Sequence, residues 1–161
     1  MAMSDNDLTR RPSTVPWPPI LLAAAVLGAV VLGEFAPVTW PGIDDWPARA
    51  VGIALGMGGF ALTVWAVMTL TRAKTAVLPH HGASHLVTSG PFAWRRNPIY
   101  LGDILMLLGA AELTKNIWFV IMATAFGGLV TWLAILPEER HLEAKFGDAW
   151  RDYAARTRRI V

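Results

Sequence analysis

A charged content of only 16%, a mean hydropathy of +0.42 and four separate apolar runs predict an all-α, polytopic membrane protein with about four transmembrane helices and a C-terminal cytoplasmic helical segment. The competing soluble helical bundle needs a polar outer face on each helix, and these runs are apolar all round. The chain has 161 residues, 54% of them hydrophobic.

The spans follow from length. A bilayer core of about 30 Å asks for roughly 20 apolar residues, with tilt or local thinning absorbing the difference. Ile20 to Ala36 is marginal, Ala48 to Leu70 ample, Ile99 to Leu113 short, and Ile117 to Leu136 a fit. Between the first two lies "PVTWPGIDDWP", where Trp40 and Trp46 suit the interface and Pro41 and Pro47 set the turn and helix start. Between the last two stand only Thr114, Lys115 and Asn116, which predicts a tight helical hairpin.

Basic residues orient the bundle. Arg10, Arg11, Arg72, Lys74, Arg95, Arg96, Arg140, Lys145, Arg151, Arg156, Arg158 and Arg159 fall on one side, and of the 14 only Arg49 and Lys115 fall on the other. The positive-inside rule then puts both termini, the central loop and the tail in the cytoplasm, and the expected location of this integral protein is a bacterial inner membrane. The net charge of +2 suits anionic headgroups, and no nucleic-acid partner is needed to explain it.

Residues 1–18, polar at their start, are expected to form a disordered cytoplasmic lead. The first apolar run resembles a signal peptide, but "EFAPV" is a poor cleavage site, so it is read as a retained span. Zero cysteines exclude disulfides, thiolate metal sites and a cysteine nucleophile. In "GIALGMGG", Gly52, Gly56, Gly58 and Gly59 let a helix or a ligand approach closely, and Gly127 and Gly128 are candidate partners for helix packing.

The densest polar information lies in "GPFAWRRNPIYLGDILMLLGA", Gly90 to Ala110. Asn97 before Pro98 reads as an N-cap with proline at the first helical position, so free backbone N–H groups point back at the cytoplasmic loop. That end favours anions, and Arg95 and Arg96 add permanent positive charge. Tyr100 lies about one turn inside. Headgroup anchoring and ligand binding both fit these residues taken alone.

The hairpin returns the chain to the same face, bringing "PEERHLEAKFGDAWRDYAARTRR" beside Asn97 and Pro98. Glu138 and Glu139 then sit at the membrane boundary, where ionised carboxylates need an arginine or a cationic ligand. Leu142, Phe146, Trp150 and Tyr153 form an apolar stripe suited to the membrane surface or to roofing a pocket. Gly147 and Asp148 mark one helix ending and another being capped.

"LVTSGPFAWRRNPIYLG", Leu86 to Gly102, together with "EERHLEAKFGDAWRDYAARTRR", Glu138 to Arg159, resembles the integral-membrane methyltransferases that include isoprenylcysteine carboxyl methyltransferases and phospholipid N-methyltransferases. The resemblance implies one membrane methyltransferase domain over residues 19–161, with a cofactor-binding half at about 80–159. It implies S-adenosyl-L-methionine as cofactor and a lipophilic, membrane-resident acceptor, either an isoprenylcysteine-type carboxylate or a phospholipid amine. It carries over onto Arg96, Asn97, Pro98, Tyr100, Glu138 and Glu139 as cofactor-binding residues; Leu86, Val87, Gly90 and Arg95 of the same loop are further cofactor-binding candidates, and Arg96, Glu138 and Glu139 are candidate catalytic residues. Gly56 and Gly58 match a Gly-x-Gly used for cofactor binding in the phospholipid branch.

Asn97 departs from the histidine many members carry, and so cannot titrate as a base. Asp103, an ionisable residue inside a span, joins the catalytic candidates. His80, His81 and His85 lack a carboxylate companion, so no metal site is expected. A nicotinamide-dependent enzyme resembling sterol reductases, or a non-catalytic lipid-binding accessory protein, remains the alternative.

Overall fold

The computed structural model describes residues 15–38, 40–75 and 85–160. The expected lead falls mostly on residues 1–14, and His80 and His81 also fall outside the described residues.

All regular structure among the described residues is helical. Helix α1 covers Trp17–Phe35, so Trp17 and Pro18 belong to the first helix and not to the lead. Helix α2 covers Trp46–Arg72, with Asp45 Oδ1 accepting from the Ala48 backbone N–H at 2.9 Å and Pro47 in the first turn. A 3-10 turn at Gly90–Ala93 leads into α3, Pro98–Thr114. Helix α4, Trp118–Val130, continues through a π-helical stretch, Thr131–Ile135, into α5, Leu136–Phe146, and α6 covers Asp148–Arg156.

Among the described residues three helical stretches are long and apolar enough to cross a membrane: α1, α2 and the continuous run Trp118–Phe146. The 17 residues of α3 extend for about 25 Å, so it is the short member, as its sequence implies. Large apolar side chains such as Leu27, Phe60 and Trp132 face outward, as a lipid-facing surface requires.

Helix α3 holds the bundle together, with α2 along one side, α4 along another, and α1 packed mainly on α4. The α2–α3 contact is made by glycines. A Cβ on Gly59 would sit 2.5 Å from the Gly102 carbonyl oxygen, and one on Gly109 would sit 2.6 Å from the Gly56 nitrogen. Gly127 and Gly128 are not the partners of the α2 glycines: Gly127 faces Ile104, and a Cβ on Gly128 would meet nothing within 4 Å. On α3's other face, Tyr100, Leu107 and Ala111 join Phe119, Ala123, Phe126, Val130 and Ile135 in the core.

The hairpin turn closes as expected. Lys115 adopts a left-handed φ of 54° and binds Glu112 and the Ile43 carbonyl oxygen, with its ammonium 5.6 Å from the Trp40 ring. Asn116 ties the turn to α1 by donating to the Ala29 carbonyl oxygen at 2.9 Å.

The helix of the second membrane leg continues past the apolar run that ends at Leu136. Pro137 lacks the N–H that a regular α-helix would direct at an earlier carbonyl, and the π-helical stretch immediately before it lets the helix run on. The polar segment therefore leaves the core as a continuation of the same helix. Gly147, at φ 53° and ψ −123°, then turns the chain into α6. It is Gly147, not Asp148, that occupies the cap position, and Asp148 pairs instead with Arg151 at 2.5 Å.

Candidate functional site

A cleft lies where the start of α3, the π-helix and α5 junction, and α6 converge with the loop preceding the 3-10 turn. Including its open mouth it encloses about 710 Å³.

Eight residues singled out from the sequence line it: Leu86, Val87, Arg96, Asn97, Pro98, Tyr100, Glu138 and Glu139. Segments distant in sequence, the loop before α3 and the start of α5, therefore meet as the hairpin topology predicts. Five others do not line it. Gly90, at φ 59°, forms the turn against Thr69, and Arg95 is bridged through its backbone to Arg158. Asp103 is buried about one turn deeper along α3, within electrostatic reach of Tyr100. Gly56 and Gly58 belong to α2, where Gly56 packs on α3 and Gly58 is exposed. Their Gly-x-Gly pattern is a feature of this helix's surface and lies outside the cleft.

The charged groups form one network. Arg96 Nε lies 3.2 Å from Glu139 Oε1, and both side chains are largely buried. Arg96 Nη1 donates to the Ala154 carbonyl oxygen at 2.9 Å, which fastens the guanidinium to α6. From the other side Arg159 donates to both carboxylate oxygens of Glu139, the shortest bond being 2.7 Å. Glu138 and Glu139 are thus not equivalent: Glu139 is held between two arginines, whereas Glu138 faces the cleft beside Tyr100.

Asn97 does not cap α3 with its side chain. Its amide nitrogen donates to the Arg159 carbonyl oxygen at 3.0 Å, where the C-terminal tail runs alongside. The Arg96 backbone N–H donates to the Arg158 carbonyl oxygen at 2.8 Å, and the tail thereby forms a short parallel bridge with the segment before α3.

The apolar wall combines Phe92, Ile99 and Ile135 with Leu142, Trp150 and Tyr153. Phe146 of the expected stripe is not among these residues and carries Lys145 over its ring at 5.7 Å. Tyr153 donates to the Phe92 carbonyl oxygen at 2.7 Å, locking α6 onto the 3-10 turn, and stacks edge-on with Trp150. Burial pushes its hydroxyl up to about 12, with Arg96 and Arg156 pulling the other way, so it stays a neutral donor near pH 7.

Leu70, Thr75 and His85 also line the cleft and were not among the expected cofactor-binding residues. Thr75 follows the end of α2 and only the folded chain brings it near α5, so nothing in its local sequence marks it. Among the described residues no group of three or more His, Asp or Glu side chains is arranged to hold a metal ion.

Two curated proteins are similar over most of this chain. The nickel-cobalt-cadmium resistance protein NccN of Alcaligenes xylosoxydans xylosoxydans is 27% identical over 142 residues, which is 85% of this chain and 59% of that protein. The cobalt-zinc-cadmium resistance protein CzcN of Cupriavidus metallidurans is 29% identical over 158 residues, 95% of this chain and 64% of that protein. The chain thus spans about three-fifths of the length of the curated relatives it matches. No solved structure matches it. A family model for phospholipid methyltransferase matches residues 47–149, which run from the start of α2 through the cleft-forming segments into α6, and on that match this chain belongs to the phospholipid methyltransferase family.

Proposed function

We propose that the protein transfers a methyl group from S-adenosyl-L-methionine to a lipophilic acceptor resident in the membrane. The observation that carries this reading is the cleft at the end of the bundle, where Arg96, Glu138 and the start of α3 converge against an apolar wall. The donor set fits the cofactor. Its amino and sulfonium charges call for a carboxylate, which Glu138 supplies, and its own carboxylate calls for Arg96 and the free N–H groups at the start of α3. Phe92, Leu142 and Trp150 offer apolar surface for the adenosyl portion.

When bound, the cofactor supplies a methyl group already activated by its sulfonium charge. The protein's own residues then have to orient, exclude water and, for an amine acceptor, receive a proton. The tie between Tyr153 and Phe92 holds α6 over the site against water. Glu138, in the cleft, and Asp103, buried about one turn deeper along α3, are the candidate proton acceptors for an amine, and a carboxylate acceptor would need neither.

The acceptor reaches this site through the bilayer. A hydrocarbon chain already dissolved in lipid has made most of its gain of about 0.8 kcal/mol per CH₂, so selection acts at the headgroup. The two curated relatives are named for resistance to nickel, cobalt, zinc and cadmium, which suggests a metal-exposed cell as the setting for this activity. Reconstituted protein incubated with methyl-labelled cofactor and total membrane lipid is expected to place label in the organic phase. Label confined to water-soluble products would reject the lipid acceptor.

The same reading sets the orientation, with both termini and the cleft cytoplasmic. Alkaline phosphatase fused after Val161 is expected to be inactive in the periplasmic assay and a fluorescent reporter there to be bright. The opposite pair of results would invert the topology.

A further inference from the structure

We propose that the C-terminal tail is a latch on this cleft and that Arg159 is its positioning residue, acting on the cofactor's anionic end through Glu139 and Arg96. The inference rests on the methyltransferase reading above, and it assigns a role to a segment that the match at residues 47–149 does not include.

The tail is zipped to the segment before α3 by its backbone. Arg96 N–H donates to the Arg158 carbonyl oxygen at 2.8 Å, Arg158 N–H to the Trp94 carbonyl oxygen at 3.3 Å, and Asn97 N–H to the Arg159 carbonyl oxygen at 3.2 Å. The Asn97 side chain adds a fourth bond to that same carbonyl at 3.0 Å. Thr157 donates back to the Tyr153 carbonyl oxygen at 2.7 Å, and Ile160 packs against the core. These bonds fix where the Arg159 side chain leaves the backbone.

Charge explains what Arg159 does there. Arg96 with Glu139 alone would be a neutral pair, with the carboxylate free to turn its lone pairs onto the guanidinium. With Arg159 forked onto Glu139, the carboxylate is oriented toward the tail. Arg96 Nε is then left buried at 3.2 Å from Glu139 with no hydrogen bond aligned to it. The three charged groups sum to one surplus positive charge beside the start of α3. A buried donor in that condition gains most from an incoming anion. The Arg159 side chain is 44% exposed, against 15% for Glu139, so water reaches the latch from outside while its target stays covered.

The test uses the full-length protein in lipid nanodiscs. Arg159→Gln is expected to raise KM for S-adenosyl-L-methionine about tenfold, the loss of roughly one charge-assisted hydrogen bond, with kcat within about twofold of wild type. Arg159→Lys, which keeps the charge without the fork, is expected to recover part of that loss. Independently of turnover, S-adenosylhomocysteine is expected to slow tryptic removal of the tail at Arg158 and Arg159, read by mass. Wild-type KM in Arg159→Gln would overturn the latch and leave methyl transfer standing. Equal losses of kcat in both variants with KM unchanged would make Arg159 merely structural and overturn it equally. A wild-type protein showing neither methyl transfer nor tail protection would remove the latch and the proposed function together.

Discussion

Glu138→Gln is expected to weaken S-adenosyl-L-methionine binding by about 10- to 100-fold while leaving the fold intact. The substitution keeps the shape of the side chain and removes only its charge. The cationic end of the cofactor would then lose a charge-assisted hydrogen bond, worth about 1.5–3 kcal/mol, at a tenfold change in affinity per roughly 1.4 kcal/mol. Glu138 is the right position for this test because Glu139 is already engaged by Arg96 and Arg159. Arg96→Ala is expected to weaken binding by a similar factor and also to lower thermal stability, since its guanidinium holds the Ala154 carbonyl oxygen and so anchors α6. Isothermal titration with S-adenosylhomocysteine, alongside thermal unfolding of each variant in detergent, separates the two effects. Wild-type affinity in both folded variants would refute the assignment of this cleft to the cofactor.

Local chemistry was readable from the chain, and long-range geometry only where helix length and a short connection set it. Asn97 and Pro98 mark the start of α3, and Thr114 to Asn116 mark the hairpin turn, because proline geometry and short connections act within a few residues. The return of Glu138 and Glu139 to the mouth of α3 follows from helix length alone. The partner of Glu139 does not. Arg159 reaches it only because Gly147 redirects the chain at a positive φ, and nothing local to Arg159 encodes that turn. At Pro137 the helix continues because the π-helical stretch before it accommodates the missing donor, a feature no local pattern around the proline encodes. For the glycines a usable signal was present. Gly52 and Gly59 stand seven residues apart, as do Gly102 and Gly109, so two antiparallel helices can match them pairwise about two turns apart. The Gly56-Met57-Gly58 pattern draws attention to adjacent glycines whose positions differ, one at the α3 contact and one on the exposed face.

That pairing makes Gly109→Ala the substitution expected to damage the fold most for its size. A Cβ at this position would lie 2.6 Å from the Gly56 nitrogen and 2.7 Å from the Gly52 carbonyl oxygen, both backbone atoms that cannot rotate away. The axes of α2 and α3 must then separate along their whole contact, and in a membrane that contact depends on close packing and not on a hydrophobic gain between helices. Overpacking of this kind costs about 1–3 kcal/mol. Because α3 also carries Pro98 and Tyr100 into the cleft, its displacement should weaken cofactor binding as well as stability. Gly58→Ala provides the contrast, since its Cβ would meet nothing within 4 Å. It is expected to leave unfolding temperature and S-adenosylhomocysteine affinity unchanged, or to raise stability slightly through better helix propensity. Thermal unfolding in a single detergent compares the pair directly. Equal stability of the two variants would show that α2 and α3 do not meet through these glycines. A loss of cofactor affinity in Gly58→Ala without a loss of stability would return the Gly-x-Gly to the binding site, against the geometry that places it outside the cleft.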